Sequence, residues 1–174
     1  MLLTHENCKI RNATPKDAFK LCQWWNDGKV MEHAGFPIGL NTNTEKIIGK
    51  IAGDSDDTYR RLIIEIDNIP VGEMSYRNKG NGIAEIGIKI CEFDKQEKGY
   101  GTIFLKMLIA ELFAHGYEKI VLDTNLENKR AQYVYEKIGF QKLRILYNSW
   151  KNQLGELQST VDYELVKSDW QLEF

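Results

Sequence analysis

Gln96-Glu97-Lys98-Gly99-Tyr100-Gly101-Thr102 joins an apolar, β-like segment to a strongly apolar helical one. A turn of this kind is a seat for phosphate. Its backbone N–H groups point outward, the following helix adds the positive end of its dipole, and glycine lets a ligand approach the main chain closely. Two familiar phosphate loops fail on it. The dinucleotide fingerprint requires a third glycine three residues after the second, and position 104 is Phe104. The nucleoside-triphosphate loop requires Gly-Lys followed by Ser or Thr, whereas Lys98 precedes Gly99 and Gly101 meets Thr102 directly.

Working outward, residues 100 to 115 carry Ile103, Phe104, Met107, Leu108, Leu112 and Phe113 at helical spacing, apolar nearly all round, and Gly116 is a good terminator. That predicts a helix packed deeply on a sheet. Before it, Ile86, Ile88 and Ile90 alternate with Glu85, Gly87 and Lys89, so a strand over residues 83 to 91 turns Glu85 away from the isoleucine face. Strands over 59 to 67 and 71 to 77 complete a meander, with turn signals at Asn68-Ile69-Pro70 and Lys79-Gly80-Asn81-Gly82. After the helix, residues 119 to 124 form a short strand whose helical connection implies parallel pairing. A helix from about Asn128 to Gly139 follows. Residues 140 to 150 and 159 to 167 then read as a closing hairpin with Gly155 in its turn.

At the N-terminal end, residues 8 to 13 read as a strand, and Thr14-Pro15-Lys16-Asp17 starts a helix that runs to about Trp25 and stops at Asn26-Asp27-Gly28. Asn43 or Thr44 caps another short helix ending near Gly53. Residues 29 to 42 between them, including His33 and Phe36, read as irregular. The sum is an α/β (α+β) architecture: a mixed, mostly antiparallel sheet of about seven strands with helices on both faces.

The 174 residues suit one domain spanning 1–174, long enough to bury about 70% of its unfolded surface. Charged residues are 28% of the chain and the net charge is −2, so no basic field points to nucleic acid and no polybasic segment to a membrane. The start, Met1 to Glu6, lacks the regions of a signal peptide, and no apolar run approaches the roughly 20 residues of a membrane span, so a cytoplasmic protein is expected. Cys8, Cys22 and Cys91 lack metal-ligand spacing and are expected as free thiols, with no metal site.

The loop fits Gln/Arg-x-x-Gly-x-Gly/Ala and resembles the acetyl-CoA pyrophosphate loop of the GNAT superfamily of N-acetyltransferases. Asn128-Lys129-Arg130-Ala131-Gln132-Tyr133-Val134-Tyr135-Glu136-Lys137-Ile138-Gly139-Phe140 looks like the same superfamily's Asn-x-x-Ala-x-x-x-Tyr-Glu-Lys-x-Gly-Phe stretch. Glu85, eleven residues before Gln96, matches members that carry a strand glutamate as general base. The three matches span roughly residues 83 to 147. The resemblance implies a GNAT fold with the fourth and fifth strands splayed apart, the pantetheine arm of acetyl-CoA in the gap, and the acceptor site around residues 29 to 42.

The implied reaction sets requirements. A lysine-like amine has a pKa of about 10.4, so at pH 7 roughly one molecule in a few thousand is neutral and nucleophilic. A base near the amine removes that cost along the reaction path. Glu85 is the first candidate, against an ordinary solvent-facing or ion-paired glutamate. Glu73 is the reserve base, or part of an acidic pocket for a cationic amine. Coenzyme A leaves as a thiolate, and a phenol beside that sulfur serves as acid. Tyr135 matches the family tyrosine for this role, whereas Tyr133 faces another direction on the helix. Backbone N–H groups at Ile88, Lys89, Ile90 and Cys91 correspond to the family's donors to the acetyl oxygen. Gln96 through Thr102 (Gln96, Glu97, Lys98, Gly99, Tyr100, Gly101, Thr102) supply the diphosphate cradle, and Asn128 contacts the pantetheine arm, caps a helix, or both.

An acetyl-cysteine route through Cys91 is the rival mechanism, but a cysteine at a strand end is usually a small buried hydrophobe. His5 and His33 read as surface or loop residues, with His33, Phe36 and Glu73 placed at the acceptor. The expected function is acetyl transfer from acetyl-CoA to a primary amine by direct attack in a ternary complex. The acceptor is a protein N-terminus or a small polyamine or aminoglycoside; Glu65, Glu73, Glu85 and Asp54 to Asp57 would suit a polycation if they face the cleft. The alternative is a non-catalytic acyl-CoA-binding module. Monomer and homodimer both stay open, as do core, acceptor-site and dimer roles for Trp150 and Trp170.

Overall fold

The computed structural model describes residues 1–171; residues 172–174, the end of the span expected as one domain, lie outside the described residues. One eight-stranded sheet runs through it in the order β1-β2-β3-β4-β5-β6-β8-β7. The strands are β1 (Leu2–His5), β2 (Cys8–Asn12), β3 (Tyr59–Ile66), β4 (Ile69–Gly80), β5 (Ile83–Ile90), β6 (Lys119–Asn125), β7 (Gln141–Lys151) and β8 (Leu157–Val166). All neighbours are antiparallel except β5 and β6. The strand beyond the expected seven is β1, too short and weakly patterned to read alone. It forms because Glu6, with φ of 51°, turns the chain so that His5 faces Cys8.

The helix expected after the glycine loop is α4 (Tyr100–Ala114), and α5 (Lys129–Ile138) lies on the same side of the sheet. Phe104, Leu105, Leu108, Ile109 and Leu112 of α4 are fully buried with Ile64, Ala84, Ile120 and Tyr163 from the sheet. At about 1.5–3 kcal/mol for each large apolar side chain buried, this is the dominant driving force of the fold.

The opposite face is covered over its first half by α1 (Ala18–Asn26) and α3 (Thr44–Ala52), which bury Leu21, Trp24, Trp25, Ile47 and Ile51 against Ile63. Residues 15–17 form a 3₁₀ turn, so α1 begins later than the proline signal. The cause is Asp17. Its carboxylate accepts the Thr14 N–H at 2.7 Å and both Arg11 Nη groups at 2.7 and 2.8 Å, pinning helix entry to the sheet. Asn43 caps α3 by accepting the Lys46 N–H at 3.0 Å, as its side-chain chemistry implies.

The segment expected to be irregular holds α2 (Gly28–Met31) and a 3₁₀ turn over Glu32–Ala34. Asp27 caps α2 through the Lys29 N–H at 2.8 Å. Gly28 is required there, because a Cβ would lie 2.0 Å from the Pro37 carbonyl oxygen. This segment and the β7–β8 turn meet over the half of the sheet that α1 and α3 leave bare. Gln153 joins them: Gln153 N donates to Gly35 O at 2.8 Å, Ile38 N to Gln153 Oε1 at 3.1 Å, and Gln153 Nε2 to Gly39 O at 2.8 Å.

Candidate active site at the strand splay

β5 and β6 pair only through Ile83↔Lys119, Ala84↔Ile120 and Glu85↔Val121. Beyond that level β5 stays paired with β4 and β6 with β8, so the two strands part. The splay between the fourth and fifth strands of the family numbering is therefore this β5–β6 gap. A cavity of about 1210 Å³ opens there, lined by the end of β5, the glycine loop, β6, α5, α2 and Trp150.

Gln96, Glu97, Gly99, Gly101 and Thr102 line the cavity, whereas Lys98 and Tyr100 of the expected cradle do not. The loop is held by Gln96, whose Nε2 donates to Ile90 O at 2.8 Å. Glu97 and Gly99 both have positive φ, 59° and 84°, which aims the chain into α4. No side chain caps that helix, so its first N–H groups point to the cavity end without a protein side-chain acceptor. At Gly99 a Cβ would meet nothing within 4 Å, so the requirement there is conformational.

On the far wall Asn128 lines the cavity and caps α5, accepting the Ala131 N–H at 3.3 Å. Tyr135 also lines the cavity, and it is 6% exposed, its ring packed against Phe140 and Tyr163 with centroids 6.0 and 5.7 Å away. Burial, with Asp123 second, pushes its phenol pKa above the ordinary value. It therefore holds its proton across the physiological range. Tyr133, 67% exposed, lies at the same cavity's rim.

Among the acids that line this cavity (Glu32, Glu97, Asp123 and Glu127), Asp123 is the one on a sheet strand at the splay, and sequence reading missed it. Ile120 and Leu122 alternate into the core, so Val121 and Asp123 face the other side, and the widening gap leaves Asp123 open to solvent. It forms no ion pair among the described residues. Although the residue is exposed, the surrounding walls partly desolvate it, and burial, Asp162 and Glu85, in that order, raise its pKa above the usual aspartate value. The available signal was a lone acid in the apolar run Ile120-Val121-Leu122-Asp123.

The first-choice base falls elsewhere. Glu85 sits at the last paired level, outside the cavity lining, where Lys79 Nζ is 3.1 Å and Arg77 Nη1 3.8 Å away. Its direction, away from the isoleucine face, is as the alternation indicated. The reserve, Glu73, is also outside the lining. It accepts Trp25 Nε1–H at 2.9 and 3.0 Å and lies 3.4 Å from Lys89 Nζ, so it is neither a free base nor an acidic pocket.

Ile88, Lys89 and Ile90 line the cavity from the unpaired edge of β5. Cys91 does not: its N–H donates to Val71 O at 2.8 Å and its thiol is buried in the core that α1 and α3 form with Ile63, where burial raises its pKa. A buried, protonated thiol is a poor nucleophile, and the acetyl-cysteine route loses its support. His33 lines the cavity, whereas Phe36 packs into the core under α1 and α3. Trp150 lines the cavity; its Nε1–H donates to Thr160 Oγ1 at 2.9 Å and its ring fills the space a side chain at Gly35 would need. Trp170 packs on Phe113, with centroids 6.2 Å apart. Among the described residues no cluster of three or more His, Cys, Asp or Glu is placed to hold a metal ion, and no helix is long and apolar enough to cross a membrane.

Residues 8–141 match the family model described as Acetyltransferase (GNAT) domain, and the chain belongs to that family of acetyltransferases. Among solved structures, a protein described as a probable acetyltransferase superposes with a TM-score of 0.84 at 25% identity, covering 98% of this chain and 99% of that one. Spermidine N-acetyltransferase from Vibrio cholerae, solved with CoA and spermine, gives 0.81 at 20% identity over 95% and 98% of the two chains. RimL, a ribosomal L7/L12 alpha-N-protein acetyltransferase in complex with coenzyme A, gives 0.84 at 16% identity over 95% and 98%. No curated protein matches the sequence.

Proposed function

We propose that this chain is an acetyl-CoA-dependent N-acetyltransferase in which an amine attacks the acetyl group directly in a ternary complex. The observation that carries the reading is that Asp123 and Tyr135 both line the one cavity at the splay, with an uncapped helix N-terminus at its end. The glycine loop and α4 would hold the diphosphate, Asn128 and the bare edge of β5 the pantetheine arm, and the β5 N–H groups the acetyl oxygen.

The proton inventory divides between these two residues. An ammonium entering from the Trp150 side meets Asp123, whose raised pKa brings it closer to that of an amine and makes it a better proton acceptor than an ordinary aspartate. Tyr135 keeps its proton and is the donor to the departing sulfur. Acetyl-CoA is the donor substrate, and the chemistry needs no metal.

Thiol release from acetyl-CoA over a panel of amines tests this. Tyr135→Phe keeps the ring packing and is expected to lower turnover by roughly tenfold to a hundredfold with CoA affinity retained. Unchanged turnover would remove Tyr135 as the acid. CoA binding without acetyl transfer to any amine would favour the binding-module reading.

A further inference from the structure

Leu126, Glu127 and Asn128 are all that joins β6, which carries Asp123, to α5, which carries Tyr135. Asn128 is the centre of an inverse γ-turn: its φ and ψ are −80° and 68°, and the Lys129 N–H donates to Glu127 O at 2.9 Å. The Asn128 Oδ1 is taken by the Ala131 N–H, and among the described residues its Nδ2 has no hydrogen-bond acceptor. Nδ2 is therefore the atom left for a ligand in the cavity that Asn128 lines.

Two buried amides, each 7% exposed, hold this connection from its two ends. Asn125 Oδ1 accepts the Glu127 N–H at 2.9 Å while its Nδ2 donates to Gln158 Oε1 at 2.8 Å, which ties the β6 end to β8. Gln132 serves the α5 end. Helical side chains lean toward the N-terminus of their helix, and from one turn into α5 the Gln132 Nε2 reaches back to Leu126 O at 2.7 Å. The Leu126 N–H donates to Ser159 O at 2.9 Å, so both main-chain groups of Leu126 are held. Asn125 lines the cavity and Gln132 does not, so Gln132 acts on a ligand only through the residues it holds. A buried amide carries a desolvation cost that an apolar side chain would avoid, and α5 is already packed on the core by Ala131, Val134, Tyr135 and Ile138.

We infer that Gln132 is a positioning residue for coenzyme A: its hydrogen bond to Leu126 O sets the β6–α5 connection so that the Asn128 amide faces the pantetheine arm. This rests on the acetyl-CoA reading of the splay cavity. Tyr135 does not depend on that bond, because its ring is held by Phe140 and Tyr163. Loss of the bond therefore falls on KM for acetyl-CoA and not on kcat.

The test combines CoA affinity by calorimetry, steady-state rates and thermal unfolding for the wild type, Gln132→Met, Asn128→Ser and the double variant. Methionine keeps the length of the side chain without its donor, and serine keeps a helix cap without the amide. Gln132→Met is expected to weaken CoA binding and raise KM for acetyl-CoA about fivefold, with kcat and KM for the amine within about twofold. The double variant is expected to bind CoA as Asn128→Ser does, because Gln132 works through Asn128. Where Gln132→Met does not fold, Gln132→Ala is expected to give the same pattern. Unchanged CoA affinity in Gln132→Met, even with a lower melting temperature, normal CoA binding by Asn128→Ser, or losses that multiply in the double variant would overturn the inference and leave acetyl transfer standing. CoA binding by the wild type with no amine acetylated would overturn acetyl transfer, while the calorimetric comparison still decides the role of Gln132. A wild type that does not bind CoA would overturn both.

Discussion

Around Arg11, the carboxylates of Asp17 and Glu65 are buried and fully engaged; on the same face of the sheet, across the splay, Asp123 faces a cavity with Asp162 beside it and no cation of its own. Asp162 is taken by Arg144 at 2.6 Å. The environments push the two aspartates in opposite directions. For Asp17 burial works upward but is outweighed by Arg11 and Thr14, so its pKa falls below the ordinary value, whereas burial and like charge carry Asp123 above it. A paired carboxylate is spent on holding α1 to β2, and only an unpaired one is available to take a proton.

The contrast is broken most strongly by neutralising each acid. Asp123→Asn is expected to lower kcat by roughly a hundredfold or more while leaving thermal stability equal or slightly higher, since it removes a charge that the folded state disfavours. Thermal unfolding and steady-state rates on the same preparation check both halves. Asp17→Asn is expected to do the reverse, costing about 3 kcal/mol by leaving Arg11 with half its partners, and denaturant unfolding would read it. The pH dependence has a matching sign. Because the folded pKa of Asp17 is depressed, its contribution is complete above the unfolded value of about 3.9 and disappears as the pH falls through the lower folded value.

A milder change sharpens the assignment of the base. Glu85 contributes to the raised pKa of Asp123, so Glu85→Gln is expected to move the acidic limb of kcat/KM to lower pH while turnover at neutral pH stays within a few fold. Smallest is Gly99→Ala. It forces a side chain into a backbone with φ of 84°, at roughly 1 kcal/mol, and is expected to weaken CoA binding severalfold by calorimetry.

Most of the scaffold was legible because its signals are local. The all-round apolar character of α4, the alternation in β5 and the glycine loop each decide their own segment. Strand β1 was not legible, since four residues have too little pattern until β2 supplies their partners. Tyr135 and Asn128 reached the cavity because a motif on one helix fixes their directions. Glu85 did not reach it. Glu85 has the right face and spacing, but whether it reaches the cavity depends on where β5 and β6 stop pairing, a tertiary fact that puts Glu85 at the last closed rung and Asp123 in the open gap. Likewise Trp25 and Lys89, distant in sequence from Glu73, decide that it is not free.

The central claim is that Asp123, and not Glu85, accepts the proton from the amine. The most direct measurement is the pH dependence of kcat/KM for wild type, Asp123→Asn and Glu85→Gln with one good acceptor. The expected result is an acidic limb above the ordinary aspartate value in the wild type, displaced to lower pH in Glu85→Gln and absent in Asp123→Asn. A limb that survives Asp123→Asn and vanishes in Glu85→Gln would contradict it.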